Sequence, residues 1–177
     1  MKTQKFNIES SQSSIDWTGR KVTDAHNGTI DIKEGQLTLE NGDLTGGNFV
    51  IDTTSIKILD VTDPATNAQF AGHLASDDFF SSEKFPAATF DITVVIPKSD
   101  TNYHVEGNLT IKGITEPSSF DVTLNQSNES LTASGKIVID RTKYGIKFRS
   151  GNFFKDLGDN LIYNEFELNV FITAKAV

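Results

Sequence analysis

Apolar and polar residues alternate along most of this chain, which is the pattern of β-strands with one buried face. In the segment 90–94, FDITV, every second residue is apolar. The same period of two recurs over 105–111, 120–124 and 166–172. A chain with many one-sided strands has to pack two sheets into a sandwich or close one sheet into a barrel. The alternation therefore predicts an all-β fold, and Asn41-Gly42, between two leucine-containing runs, is predicted to be the turn of a hairpin.

The alternation stops between residues 63 and 85, and helix signals replace it. Asp63 is a good N-cap residue, and Pro64 suits the first position of a helix. Pro86 prevents further helix. The sequence therefore predicts one or two short helices, inserted around residues 64–84 between two strands. Ser76 is predicted to cap a second short turn that begins with Asp77 and Asp78.

Composition limits the partners that this protein can have. The chain has 177 residues, a net charge of -8 and no cysteine, which fits one domain over residues 1–177 and argues against a nucleic-acid partner. No apolar run reaches the length of a membrane span or a signal peptide. We therefore expect a cytoplasmic protein, or a periplasmic one if the sequence is a processed form. A homodimer is left as an open alternative to the monomer.

Three histidines are the main candidates for chemistry. His26, in the segment His-Asn-Gly, is interpreted as part of a turn, and His104 as a solvated residue of a strand. None of the three has metal-ligand spacing from another, so neither a metal nor a cofactor is expected. His73 lies four residues before Asp77 and five before Asp78. Such a pair suits a general base, but it equally suits a local ion pair, and the acids also suit helix caps.

The aromatic residues carry more information. Thirteen phenylalanines and one tryptophan provide a large apolar volume. Eight strands closed into a barrel enclose just enough space for packed side chains or for one small apolar ligand. Core and ligand wall then have the same composition. Affinity for an apolar chain needs no polar signature, because each buried methylene contributes about 0.8 kcal/mol.

Residues 141–155, RTKYGIKFRSGNFFK, form a basic strip in an otherwise acidic protein. Tyr144, Ile146 and Phe148 alternate there with cationic residues. The strip is interpreted either as an ordinary solvated face or as a basic patch near a barrel mouth. In the second case it would attract an anionic head group, such as a phosphate or a carboxylate.

Several motifs resemble those of the YceI-like family of bacterial proteins, and they occur in the same order. The first is His73-Leu74 with Ser76-Asp77-Asp78-Phe79-Phe80 and Lys84-Phe85-Pro86. The second runs from Gly107 to Thr115, and the third from Gly135 to Ile146. The resemblance covers nearly the whole chain. It implies an antiparallel, eight-stranded, lipocalin-like barrel with a helical insertion, which binds an isoprenoid or a similar amphiphilic lipid and is not an enzyme.

Alternation and resemblance together predict the residues that bind the ligand. The predicted set is Trp17, Phe49, Ile51, His73, Phe79, Phe80, Phe85, Phe90, Tyr144, Phe148 and Phe166. The predicted function is non-enzymatic binding, storage or transport of a polyisoprenoid or fatty-acid-like chain. Two alternatives stay open. One is an enzyme that uses His73 on a small hydrophobic substrate, and the other is a filled barrel that acts as an interaction or stress-response module.

Overall fold

A computed structural model describes residues 2–22, 24–150 and 161–177 of the chain. Nine strands are found in these residues: β1 (Thr3–Ile8), β2 (Ser14–Lys21), β3 (Ala25–Glu40), β4 (Asp43–Ile58), β5 (Ala87–Pro97), β6 (Asn102–Ile111), β7 (Ile114–Ser127), β8 (Ser130–Asp140) and β9 (Ile162–Ala176). The helix α1 (Pro64–Ala75) connects β4 to β5. Short 3₁₀ helices cover Ser10–Gln12 and Arg141–Tyr144.

The strands form one antiparallel sheet that closes on itself. Pairing runs from β3 through β2, β9, β8, β7, β6 and β5 to β4, and β4 pairs back onto β3. β1 and β2 share one position between β3 and β9, since β2 pairs with the first part of β3 and β1 with its last part. The barrel therefore has eight strand positions, and the predicted eight-stranded antiparallel barrel is confirmed.

The barrel has two distinct ends. At one end β2, β4, β6 and β8 finish and α1 packs, and we call it the helix end. The other, the hairpin end, carries the β3–β4 turn, where Asn41 and Gly42 have φ of 53° and 87°. Both values lie in the left-handed region that a tight two-residue hairpin requires, so the predicted turn is confirmed.

The predicted alternation describes the core well, with one exception. Leu168, Val170 and Ile172 of β9 are all buried, and the predicted faces of β6 and β7 also point inward. On β5 the register shifts between Ile92 and Val94. A β-bulge of this kind reverses the faces that follow it. Val94, which the alternation places on the buried face, is therefore 42% exposed.

The helical insertion is confirmed, and its helix is shorter than the predicted range of 64–84. The carboxylate of Asp63 accepts hydrogen bonds from the backbone N–H of Thr66 at 2.9 Å and from its hydroxyl at 2.6 Å. Asp63 is thus the N-cap, with Pro64 at the first helical position, as predicted. The helix ends at Ala75, and hydrogen-bonded turns follow as far as Lys84.

Two local interpretations of the sequence are wrong. A turn does begin at Asp77, as predicted, but the hydroxyl of Ser76 does not cap it; that hydroxyl instead donates to the carbonyl oxygen of His73 and closes α1. His26 is not in a turn, since it lies in β3 and pairs with Gly19 of β2. The residues His-Asn-Gly are common in turns, but here they pair with β2, and the sequence alone does not show that pairing. His104 lies on the outer face of β6, as predicted, where its Nδ1 contacts a carboxylate oxygen of Asp121 at 2.9 Å.

In the described part of the chain, no helix is long and apolar enough to cross a membrane.

Candidate functional site

The helix end of the barrel encloses a cavity of about 250 Å³. Strand residues with apolar side chains form most of its wall: Ile30, Ile51, Ile56, Ala88, Leu109, Ile111, Ile139, Ile162 and Leu168. They come from β3, β4, β5, β6, β8 and β9. Most face inward through the period-two alternation, and Ile56 does so after a register shift between Asp52 and Lys57 of β4. The barrel itself therefore supplies an apolar wall on nearly every side.

Five aromatic side chains, four of them outside the strands, cover this cavity. His73 of α1 packs edge-on against Phe79 and Phe148, with ring centroids 5.0 and 4.7 Å apart, and Phe79 and Phe148 also contact each other. Phe80 packs against Phe166 of β9 at 6.1 Å. These five residues all line the cavity. We call them the aromatic cap.

Polar contacts hold the cap in place. The hydroxyl of Thr53 in β4 donates to the carbonyl oxygen of Phe85 at 2.7 Å, and the hydroxyl of Ser82 donates to that of Thr53 at 3.0 Å. Lys112, in the β6–β7 turn, donates to the carbonyl oxygen of Asp77 at 2.8 Å. The turn after α1 is thus fixed at both ends to the barrel, and the aromatic cap is held over the opening.

His73 uses Nε2 to contact Oδ2 of Asp78 at 3.0 Å. Asp77, the other predicted partner, instead accepts a hydrogen bond from the hydroxyl of Ser81 and lies 3.6 Å from Lys84. The pair of His73 and Asp78 is partly exposed, with side-chain exposures of 42% and 54%. Its contacts orient the imidazole ring between two phenylalanines, which is a packing role within the cap.

Trp17 forms part of the wall on the β2 side. Its indole N–H donates to the carbonyl oxygen of Lys57 at 3.1 Å. The ring lies over Gly28, its partner in β3, where a Cβ atom would approach Trp17 Cζ2 to 2.7 Å. Gly28 therefore makes room for the indole ring. Trp17 is the single tryptophan of the chain and lines the cavity, so its fluorescence reports on this site.

Four charged residues and one histidine border the cavity, and we call Arg20, Lys21, His26, Arg149 and Glu165 the rim. Arg20 also forms an ion pair with Glu167 at 3.2 Å. The guanidinium of Arg149 lies 5.0 Å from the ring centroid of Phe148 in the cap. Among the described residues that border the cavity, Glu165 is the single acid. The rim thus carries an excess of positive charge in a protein of net charge -8.

His26 of the rim is oriented from outside the barrel. Its Nδ1 contacts Oδ2 of Asp60 at 2.8 Å, and its ring packs edge-on against Phe70 of α1 at 4.8 Å. Burial raises the pKa of Asp60, but the hydrogen bonds from the backbone N–H of Asn27 and from His26 outweigh burial, and the net shift is downward. Asp60 therefore stays ionised at neutral pH. Through Asp60 and Phe70, His26 joins the segment before α1 and α1 itself to β3.

Arg141 borders the cavity, but its guanidinium is used in hydrogen bonds that stabilise the fold. It is 3% exposed, and its guanidinium donates to the carbonyl oxygens of Ile146, Ile162 and Tyr163, each at 3.0 Å. Burial lowers its pKa to about 10, partly offset by the nearby charge of Asp140. The group is still charged at neutral pH, and it joins the segment after β8 to the start of β9.

The structure places seven of the eleven predicted ligand-binding residues on the cavity wall. These are Trp17, Ile51, His73, Phe79, Phe80, Phe148 and Phe166. Phe49 and Phe90 pack deeper in the barrel, with ring centroids 5.4 Å apart. Phe85 lies against Gly113 in the β6–β7 turn. Tyr144 is the buried last residue of the 3₁₀ helix Arg141–Tyr144, and burial raises the pKa of its phenol to about 12.

The basic strip is only partly near the cavity. Arg141 and Arg149 border it, whereas Lys143 and Lys147 are exposed. Residues 151–155 of the strip lie outside the described residues. The backbone is a 3₁₀ helix followed by Gly145 in the left-handed region, at φ 75°, so alternation here does not mark a strand.

Sequence reasoning missed the other half of the rim. Arg20 and Lys21 end β2, and His26 begins β3, so all three reach the helix end. The signal available in the sequence was the cationic pair that follows the apolar residues of β2. Its position relative to residues 141–149 depends on the pairing of β2 with β9, which single-sequence patterns do not show.

Comparisons with known proteins agree with this architecture. The sequence model of the YceI-like domain matches residues 6–174. A UPF0312 protein of Staphylococcus aureus (strain bovine RF122 / ET3-1) is 42% identical over 83 residues, which cover 43% of this chain and 46% of that protein. The UPF0312 protein of strain USA300 is 41% identical over 83 residues. The match thus spans about half the length of these curated relatives.

Two solved structures share the fold over their whole length. Burkholderia cenocepacia BcnA has a TM-score of 0.76 and 22% identity, covering 95% of this chain and 99% of that one. A polyisoprenoid binding domain from Saccharophagus degradans, implicated in plant cell wall breakdown, has a TM-score of 0.67 and 12% identity, covering 97% and 98%. At these identities the likeness is evidence of fold alone. Because the family model matches nearly the whole chain, the protein belongs to the YceI-like family.

Proposed function

We propose that this protein binds a single amphiphilic lipid, a polyisoprenoid or a fatty-acid-like chain, and carries or stores it without chemical change. The observation that supports this most strongly is the apolar cavity of about 250 Å³ inside the helix end of the barrel. A cavity of ~150 Å³ lined by Leu, Ile and Phe stays dry and binds benzene. The larger cavity here is lined in the same way, so an apolar chain is its natural occupant.

The rim indicates which end of the lipid stays outside. Arg20, Lys21 and Arg149 border the cavity against the single acid Glu165 among the described residues there. A cationic rim around an apolar cavity attracts an anionic group and leaves it hydrated while the chain is buried. We therefore propose a carboxylate or phosphate head group at the rim. The Saccharophagus degradans protein of similar fold is a polyisoprenoid binding domain, which supports a lipid ligand here.

Titration of Trp17 emission with dodecanoate below its micelle concentration and with dodecanol below its solubility limit tests the proposal. We expect saturable binding of both, with the carboxylate the tighter. Arg149→Gln should weaken dodecanoate about three- to tenfold, which is the effect of one favourable charge at a partly solvated site, and leave dodecanol unchanged. Lys98→Gln is the matched control, because Lys98 follows β5 at the hairpin end and pairs with Asp121 rather than bordering the cavity. Absence of saturable binding of either compound would overturn the proposal.

A further inference from the structure

The barrel interior is divided. A second cavity of about 40 Å³ lies toward the hairpin end, and its lining includes Leu37, Phe49, Val105 and Phe120. Residues between the two cavities are packed core. An apolar chain that enters through the helix end therefore meets a layer of side chains before it reaches the second cavity.

The strands show where this layer lies. On β5, Ala88 lines the first cavity and Ile92 the second, and Phe90 between them lines neither in the described part of the chain. Ile32 of β3 and Ile137 of β8 hold equivalent positions on their strands. All three layer residues are 1 or 2% exposed. We call Ile32, Phe90 and Ile137 the floor of the first cavity.

Phe90 has the largest side chain of the floor and spans several strands. Its ring lies over Gly107 of β6, where a Cβ atom would stand 2.6 Å from Phe90 Cζ. Its centroid lies 5.4 Å from that of Phe49 in β4 and 5.3 Å from that of Phe120 in β7. Both of these neighbours line the second cavity. The ring of Phe90 thus covers the second cavity from the helix-end side.

We propose that this floor sets the length of the lipid chain that the protein accepts, with Phe90 as the residue that determines it. The inference rests on the proposed function. Scaling from ~150 Å³ for benzene, a cavity of about 250 Å³ holds on the order of ten carbons. A longer chain leaves its remaining carbons outside the barrel. The protein then selects a short acyl or prenyl chain, or only the terminal part of a long one.

A series of saturated carboxylates from eight to twenty carbons tests the inference, with dissociation constants taken from Trp17 emission. Each methylene that enters the cavity strengthens binding about fourfold. We expect this increase to stop near ten to twelve carbons. If the affinity of the wild type keeps rising up to twenty carbons, the inference that the floor limits chain length is wrong. Failure of every chain to bind would overturn the proposed function itself, so the two failures are distinguishable.

Variants test Phe90 in both directions. Phe90→Leu, and Phe90→Ala if it folds, should move the plateau to longer chains by several carbons, because the space of the ring joins the two cavities. Ala88→Leu fills the first cavity above the floor without removing core, and it should move the plateau to shorter chains. Leu131→Ala is the matched control for lost core packing, since Leu131 is 1% exposed at the hairpin end and lines neither cavity among the described residues.

Urea unfolding of each variant establishes that it is folded during the titration. The floor is supported if the plateau moves to longer chains in Phe90→Leu, moves to shorter chains in Ala88→Leu and stays at the wild-type chain length in Leu131→Ala. A plateau that stays at the wild-type length in both Phe90→Leu and Ala88→Leu would contradict it.

Discussion

The ring of Phe90 lies directly against the backbone of Gly107. A Cβ atom at position 107 would stand 2.6 Å from Phe90 Cζ and closer still to the carbonyl oxygen of Asp91. Real Cβ atoms do not approach other atoms so closely, and the second neighbour is backbone that cannot rotate away. The absence of a side chain at Gly107, in the middle of β6, thus leaves the space that the ring of Phe90 occupies.

Gly107→Ala should therefore destabilise the fold by about 1–3 kcal/mol, the usual cost of forcing extra volume into a packed core. Equilibrium unfolding in urea measures the change. Gly46→Ala in β4 is the control, because a Cβ there meets nothing within 4 Å and Gly46 does not have a positive φ. That control should be neutral or slightly stabilising. Equal effects of the two substitutions would show that Phe90 is not seated on Gly107.

His73→Ala should speed ligand release without unfolding the protein. The substitution removes two edge-on ring contacts of the aromatic cap, with Phe79 and Phe148, and such contacts contribute about 0.5–1.5 kcal/mol each. We expect a dissociation rate about five- to tenfold higher in stopped-flow measurements of Trp17 emission.

His104→Ala is the matched control for His73→Ala. His104 also contacts an aspartate, Asp121, at 2.9 Å, but on the outer face of β6. It should leave ligand release unchanged. If His73→Ala instead abolished turnover of a bound substrate while ligand release stayed at the wild-type rate, the enzyme alternative would be correct and the packing role wrong.

Arg141→Met should cost about 3 kcal/mol or more, because three carbonyl oxygens lose their donor in a water-poor environment. Methionine keeps much of the side-chain volume, so the loss measures the hydrogen bonds rather than a cavity. Arg141→Lys keeps the charge but has one compact ammonium group, which cannot span the carbonyls of Ile146, Ile162 and Tyr163 together. Its stability in urea should be intermediate. A wild-type stability for Arg141→Met would show that these bonds do not hold β9 to the segment after β8.

Acid should weaken α1 through Asp63. The hydrogen bonds from the hydroxyl and then the backbone N–H of Thr66 hold the pKa of Asp63 below its ordinary value of 3.8. A carboxylate whose pKa is lower in the folded state stabilises the fold above the unfolded value, and this contribution is lost as the pH falls through the folded value. Stability should therefore decrease below about pH 4.

Asp63→Ser separates the cap from the charge, since serine also accepts from backbone N–H groups but does not titrate. Urea midpoints between pH 2.5 and 6 should fall less steeply for this variant than for the wild type. If the urea midpoints of the two proteins depend on pH in the same way, carboxylates other than Asp63 cause the loss of stability in acid.

The sequence predicts the barrel because a period of two survives in nearly every strand. It fails at β5, since one extra residue between Ile92 and Val94 reverses the faces without changing composition. It also fails at His26, whose role depends on contacts with Asp60 and Phe70 far along the chain. A local sequence pattern predicts local geometry, whereas the bulge in β5 and the contacts of His26 depend on the registers of the strands.

The candidate site shows the same limit. Ala88 and Phe90 lie two residues apart on the same face of β5, yet Ala88 lines the cavity and Phe90 closes it. Wall and floor differ only in depth along the barrel, and depth follows from the stagger of all the strands. Ligand binding by the predicted residues stays a prediction until it is measured.

Contact between a lipid chain and Trp17 tests the central claim most directly. Bromine quenches indole emission only at short range, so carboxylates of about ten to twelve carbons, brominated near the chain end, report whether the chain enters the cavity. We expect saturable quenching of Trp17 that excess unbrominated carboxylate reverses. Quenching that does not saturate, or that matches the quenching of free tryptophan in solution, would contradict lipid binding in the barrel.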